Sequence, residues 1–286
     1  MTRRQASTRT VDATVAEQLV DGVPDWMMAS AYDWIEQWTT EEVATDRLGR
    51  EVRLPEGGRI FAIERYLQIK FGLNDARQAH EFLMRYVRAD DTHCLDVIEA
   101  ILATNNNVSF VVDSINRILV SSGSKWVAKK QEDNLAAYLE ERVDATSAAA
   151  YEETVNDATN ASGGYLKSAW SVAFNRNPNA SQAYSNAIKA VEAAAWPIIT
   201  PSNNTATLGH IIGEIRANPS RWSTAITERT TDVGMTTLLN ALILMWEGQT
   251  DRHGTANPVT PTQEAAEQAV FTAIMVCSYF NRGYVS

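Results

Sequence analysis

The sequence predicts a mainly α-helical protein with two helical halves and one small β-hairpin between them. Apolar residues recur every three or four positions through most of the 286 residues, which is the period of an amphipathic helix. Pro, Gly or Asn stands where these apolar segments begin and end, as expected at helix boundaries. Only residues 125–143 have the composition of strands. These three observations favour packed helices over a sheet-based fold.

The N-terminal half is expected to begin with a flexible arm and to continue as a helical domain over residues 24–160. Residues 1–23 are polar and rich in threonine, with little periodicity. After Pro24, a helix is expected whose apolar face we assign to the core rather than to a binding surface. That face consists of Trp26, Met27, Ala31, Trp34, Ile35 and Trp38. A loop is expected over 46–58, and the helices that follow are expected over 59–71, 76–88, 91–103 and 108–120.

The segment between the halves is expected to contain the β-hairpin. Trp126 and Tyr138 suit a half-buried sheet. The alanines of residues 135–143 suit it less, which leaves a strand followed by a helix open. A connecting helix is then expected, with Asp144 or Thr146 as its cap.

The C-terminal half, residues 161–286, is expected to be a helical bundle. The small, flexible tract Ala161-Ser-Gly-Gly164 is the predicted boundary between the two domains. Pro197 is expected to end one helix, and Thr205 or Thr207 is expected to cap the next. The helices are expected over 165–174, 180–196, 207–216, 221–228 and 236–247, with a last helix after Pro261.

Composition restricts the classes of function. A net charge of -10 and a pI near 5.0 argue against broad attraction to nucleic acid, and leave open a small basic site inside an acidic protein. No run of about 18 apolar residues occurs, so no membrane span is expected. The first residues lack the apolar stretch of a signal peptide, so a cytoplasmic protein is expected. The two cysteines, Cys94 and Cys277, are expected to be buried reduced thiols.

The loop from Trp246 to Gly254 gathers most of the candidate catalytic groups. An imidazole such as that of His253 can act as acid or base, and a guanidinium such as that of Arg252 can hold a phosphate. Together they suit cleavage of RNA by its own 2′-hydroxyl, with Asp251 orienting the histidine. The alternative is that these charged residues only cap helices and form an ion pair. The usual metal and nucleotide motifs are absent from the sequence, so no metal or cofactor is expected.

The C-terminal half also carries a combination of short motifs. They are Ala187-Ile-Lys-Ala-Val-Glu192, Pro201 with Ala206-Thr-Leu-Gly209, and Trp246 to Gly254, followed by a final helix rich in alanine. This combination resembles the abortive-infection C-terminal domain of the HEPN superfamily, over residues 165–283. Residues 116–126 and 141–144 resemble the linker hairpin that often precedes that domain.

The resemblance implies an up-down bundle of helices that commonly dimerises, in proteins of antiviral defence and toxin systems. In active members, a metal-independent ribonuclease site forms across the dimer from an arginine and a histidine that are separated by four to six intervening residues in the motif. His253 matches the histidine of that motif. Glu192 or Lys189 is the candidate for the polar or acidic residue that an earlier helix supplies.

The chain departs from this pattern at the arginine. The motif positions before His253 hold Gly248, Glu247 and Trp246, and Arg252 directly precedes the histidine instead. Either Arg252 replaces the motif arginine from the loop, or the site binds RNA or protein without cutting. Two hypotheses follow. One is a phage-defence endoribonuclease with His253 and Arg252 as catalytic residues, and the other is a non-catalytic dimeric protein whose N-terminal domain binds a partner.

Overall fold

The architecture is taken from a computed structural model. It describes residues 19–45, 51–71, 75–131, 133–203, 205–226, 233–250 and 259–286, with backbone only at 42–45 and 51–52. Across these ranges the chain is mainly helical, with eleven α-helices and two small antiparallel hairpins. The predicted mainly α fold class is therefore confirmed. No helix within the described ranges combines the length and the apolar character needed to cross a membrane.

The chain divides into two compact units, Met1–Arg142 (unit 1) and Val143–Ser286 (unit 2). The tract 161–164, predicted as the boundary, lies within unit 2. There Ala161 caps a helix that begins at Ser162. The helix before this tract packs against the helix after it. The small residues therefore lie at the start of a helix within unit 2. The boundary between the two units lies between Arg142 and Val143.

Unit 1 folds around one apolar core. Its elements are α1 (Asp25–Thr39), β1 (Thr40–Thr45), β2 (Glu51–Pro55), α2 (Gly57–Leu67), α3 (Ala76–Ala89), α4 (Asp91–Thr104), α5 (Val108–Ser121), β3 (Trp126–Lys130) and β4 (Ala137–Glu141). Much of the core comes from α4, which is buried on most of its faces because its apolar residues are not confined to one stripe. The carboxylates of Asp75 and Asp90 accept hydrogen bonds from the first backbone N–H groups of α3 and α4.

The hairpin of β3 and β4 confirms the predicted β element. The two strands pair antiparallel without a break in register. Asn116 of α5 ties the hairpin to the helix before it. Its side-chain amide donates to the Ala128 carbonyl at 2.9 Å, and its side-chain oxygen accepts from the Ala128 N–H at 2.7 Å. The strand is thus held against α5 through both polar groups of one residue.

Two expectations for unit 1 are wrong. Residues 51–55 form β2, which pairs antiparallel with β1, instead of belonging to a loop. The pairing is a local hairpin, but charged and polar residues predominate in both strands and conceal the alternation that marks a half-buried strand. Trp26 is 68% exposed and is not part of the core. It lies in the first turn of α1, where its indole N–H donates to the Ser122 carbonyl at 3.0 Å.

Unit 2 is a helical bundle with a separate core. Its helices are α6 (Ala145–Asn156), α7 (Ser162–Phe174), α8 (Ala180–Ile199), α9 (Leu208–Ala217), α10 (Val233–Gly248) and α11 (Gln263–Asn281). The centre of the bundle is α8, which packs along both α7 and α11. Its buried face is rich in alanine, and small side chains let neighbouring helices approach closely. Asp144 caps α6, as predicted, by accepting from the Thr146 and Ser147 N–H groups.

Two helix boundaries in unit 2 differ from the expectation. Pro197 does not end α8, which continues to Ile199. A proline in the last turn removes only one hydrogen bond, and the Thr200 N–H still donates to the Trp196 carbonyl at 3.0 Å. The helix expected over 221–228 is also wrong within its described part. A single 3-10 turn ends at Arg221, and Thr224 then pairs with Val285 near the C-terminus.

Candidate functional site

The predicted catalytic residues His253 and Arg252 and the predicted supporting residue Asp251 lie outside the described residues. Both ends of the segment that carries them are described. The Thr250 hydroxyl donates to the Val259 carbonyl at 2.5 Å. Thr250, two residues after α10, and Val259, four residues before α11, are therefore in contact.

The end of α10 is held by Tyr184 of α8. The buried Tyr184 hydroxyl donates to the Met245 carbonyl at 3.1 Å and so satisfies one of the last carbonyls of the helix. Burial raises the pKa of the Tyr184 hydroxyl, which keeps it a neutral donor. One turn later, a Cβ atom on Gly248 would overlap that hydroxyl, so only glycine permits this approach.

The start of α9 contacts the same end of α10. A Cβ atom built on Gly209 would lie 2.9 Å from a ring carbon of Trp246. The Trp246 indole therefore rests directly on the α9 backbone. Trp246, which holds one of the three possible arginine positions of the resembled motif, is thus an aromatic ring engaged in packing.

Glu192 of α8 reaches the start of α9 from the other side. Its carboxylate accepts a 2.6 Å hydrogen bond from the Leu208 N–H, the residue before Gly209. Burial raises the pKa of the Glu192 carboxyl, while the Leu208 hydrogen bond and the charge of Lys189 act in the opposite direction. Of the two supporting residues predicted on α8, Glu192 is partly buried against α9, and Lys189 is exposed one turn earlier.

His210 adds an imidazole to this region that the sequence did not assign to the site. Its Nδ1 accepts from the Thr207 N–H at 3.1 Å, which forms a capping box at the start of α9. That bond leaves Nε2 as the protonated nitrogen of the neutral ring. His210 lines a surface cavity of about 390 Å³ together with Arg221 and Glu214. The sequence signal that could have revealed this capping box is the spacing of three residues between Thr207 and His210, with histidine in place of the usual Glu or Gln.

Metal ligation has no support in the described part of the chain. No group of three or more His, Cys, Asp or Glu side chains there is arranged to hold a metal ion. The candidate site is instead a helix junction. An acid, Glu192, and an exposed cation, Lys189, lie on α8, and the ends of the segment 251–258 meet beside α10.

The fold and the site define a two-unit helical protein whose candidate site lies in the second unit. The chain matches no protein-family model, and neither the curated proteins nor the solved structures contain a match to it. The resemblance to the abortive-infection C-terminal domain therefore depends on the sequence motifs alone.

Proposed function

We propose that this chain is a cytoplasmic phage-defence protein of the abortive-infection type, whose unit 2 is a metal-independent endoribonuclease. The observation that carries the proposal is the placement of Glu192. Its carboxylate is anchored on the Leu208 N–H, next to the contact between Gly209 and Trp246 that locates the end of α10. An acidic residue on an earlier helix, close to the segment that holds the histidine, is the arrangement that the resemblance implies.

The proposed reaction is cleavage of RNA by its own 2′-hydroxyl. His253 takes the 2′-hydroxyl proton as the oxygen attacks phosphorus, and the imidazolium then gives that proton to the departing 5′-oxygen, which leaves a 2′,3′-cyclic phosphate. Arg252 neutralises the phosphorane charge, and Asp251 orients the imidazole. Glu192, with its raised pKa, holds a proton at higher pH than an exposed carboxyl does. Lys189 is exposed and so is placed to contact the RNA backbone.

In this proposal the site is composite and the protein acts as a homodimer. A guanidinium directly before a histidine projects differently from one placed one or two turns earlier in a helix. Arg252 of one copy then serves with His253 of the other. RNA is the substrate, and the toxic outcome is loss of host RNA during infection.

The second candidate is a non-catalytic dimeric binding protein with a degenerate HEPN site, whose N-terminal domain binds a protein partner. One observation favours it. The Trp246 indole occupies a motif position for arginine and is packed on Gly209, so no cation is available there. Glu247 and Gly248 hold the remaining motif positions.

The test is cleavage of a single-stranded RNA by the purified chain in the presence of a chelator, with the 2′-deoxy strand as a substrate that cannot react. His253→Ala and Arg252→Ala are each expected to lower the rate by about 100- to 10,000-fold. His210→Gln is the matched control, because glutamine preserves the acceptor of the capping box while removing an imidazole. Cleavage that survives both site substitutions contradicts the proposal. RNA binding without cleavage by the unmodified chain supports the second candidate.

A further inference from the structure

The exposed side of α5 in unit 1 has no role in the proposed site. We define the α5 face as the residues Phe110, Asp113, Asn116, Arg117, Val120 and Ser121, which line a shallow groove of about 650 Å³. Phe110 is 51% exposed and Val120 is 48% exposed. The exposed ring of Trp26 extends this face at the C-terminal end of α5, where the indole N–H donates a hydrogen bond to the Ser122 carbonyl. Large apolar side chains on a rigid helix are typical of an interaction surface.

The opposite side of α5 fixes the helix in unit 1. Val111, Ile115 and Leu119 are buried in the core, and Asn116 is bonded to the Ala128 backbone. Within the α5 face, Phe110 also packs edge-on against Trp38 with ring centroids 6.0 Å apart and Asn116 holds the hairpin, whereas Asp113, Arg117 and Val120 are exposed. They are also presented on a helix that is held in place rather than on a loop.

We propose that the α5 face binds a second copy of this chain, with the two α5 helices antiparallel. The residues of the face are placed symmetrically about the position of Ile115. Apolar side chains take the outer positions, and side chains of opposite charge take the inner positions. Phe110 and Val120 lie five residues to either side of that centre, and Asp113 and Arg117 lie two residues to either side. In a twofold contact, each residue of one copy meets the residue at the mirrored position of the other. The pairing gives two Asp113 to Arg117 ion pairs between two Phe110 to Val120 contacts.

Charge identifies a second copy as the partner. Neither Asp113 nor Arg117 makes an ion pair or a side-chain hydrogen bond within the described part of the chain. The face is neutral on balance, whereas the whole chain carries a net charge of -10. Two acidic copies repel each other over most surfaces, and they can approach where the charge is balanced and complementary. A single arginine beside an aspartate does not suit nucleic acid.

The area available indicates weak, reversible pairing. Each α5 helix has 14 residues and is about 21 Å long. Two such helices, even with Trp26 added, cover less than the ~800 Å² per partner of a standard stable interface. We expect a dissociation constant on the order of 10 µM, which places the association in the range of transient contacts.

Charge reversal provides the test. Asp113→Arg or Arg117→Asp alone places like charges opposite each other at both symmetry-related positions, and each is expected to weaken association by about tenfold or more. Mixing the two singly substituted chains places opposite charges together again, so the mixture is expected to associate although neither chain does so alone. Sedimentation velocity over a concentration series measures both effects. Any association through unit 2 forms a common baseline, because unit 2 is unchanged in these variants.

The matched control is another exposed pair of the same unit. Glu81 and Arg85 lie one turn apart on α3, and their reversal is expected to leave association unchanged. A chain that shows no concentration-dependent association attributable to unit 1 overturns the proposal. So does association that both reversals leave intact. Association that falls with each reversal, but is not restored in the mixture, contradicts a second copy in this register and indicates a different partner.

Discussion

The carboxylate of Glu192 accepts a 2.6 Å hydrogen bond from the backbone N–H of Leu208, which lies 16 residues further along the chain. The bond fixes the first turn of α9 against α8. An acid at a helix N-terminus is favoured by the helix dipole, but burial disfavours its charge and raises the pKa of Glu192. The contact between α8 and α9 therefore fixes a carboxyl group at the start of α9, and burial destabilises the ionised form of that group.

Glu192 is expected to make the stability of unit 2 depend on pH. Its folded-state pKa lies above the unfolded value, so the folded chain binds the proton more tightly. The unfolding free energy is then highest below the unfolded-state pKa and falls as pH rises through the folded-state pKa. We expect Glu192→Gln to abolish this fall, because glutamine keeps an acceptor for Leu208 and carries no charge.

Urea unfolding between about pH 4 and about pH 8 spans the carboxyl titration and measures this effect. At neutral pH, Glu192→Gln is expected to be no less stable than the unmodified chain, whereas Glu192→Ala is expected to lose about 1 kcal/mol with the hydrogen bond. Glu152→Gln, at an exposed position on α6, is the control and should leave the profile unchanged. A profile for Glu192→Gln that overlays that of the unmodified chain would show that the carboxyl does not titrate as burial requires.

The accuracy of the sequence predictions depended on the range of the interactions involved. Asp144 and Thr207 were predicted as caps because a cap bonds backbone groups only two or three residues away. The pairing of β1 with β2 was missed although the partners are near in sequence, because the charged composition of both strands conceals the strand pattern. The hydrogen bond from the Tyr184 hydroxyl to the Met245 carbonyl joins residues 61 positions apart, so no local sequence pattern predicts it. Glu192 was named as a candidate, but its anchor on Leu208 became visible only in three dimensions.

Arg282 is expected to stabilise the contact between α6 and α11 more than an ordinary surface arginine does. Its guanidinium binds two carboxylates of α6 and its C-terminal cap, Glu153 at 2.6 Å and Asp157 at 2.7 Å. A lysine cannot hold both in the same planar geometry. Arg282→Lys should therefore lower Tm and speed amide exchange in α6. Arg221→Lys is the control, since Arg221 is more exposed, forms an ion pair with the single carboxylate of Glu214 and otherwise lies over the Trp222 ring. Equal effects of the two changes would contradict this role.

Both cysteines should be unreactive in the folded chain. Cys94 and Cys277 are buried, as the sequence predicted. Burial raises the pKa of the Cys277 thiol to about 12, and the thiolate is the reactive form. A thiol reagent at about pH 8 is expected to label neither residue until the chain unfolds. Ser168→Cys, at an exposed position on α7, is the positive control and should react at once. Rapid labelling of Cys277 under native conditions would show that α11 opens locally.

Two glycines of α9 are expected to respond in opposite directions to the same substitution. A Cβ atom on Gly213 meets nothing within 4 Å, so Gly213→Ala should raise the unfolding free energy by about 0.5–1 kcal/mol through the helix preference of alanine. A Cβ atom on Gly209 would lie 2.9 Å from the Trp246 ring, so Gly209→Ala should lower it by about 1–3 kcal/mol. Combining Gly209→Ala with Trp246→Leu should recover part of that loss, because the smaller side chain makes room for the methyl group. Urea unfolding of the four chains measures the coupling. If the two alanine substitutions had the same effect, Trp246 would not rest on the start of α9, where Glu192 is anchored on Leu208.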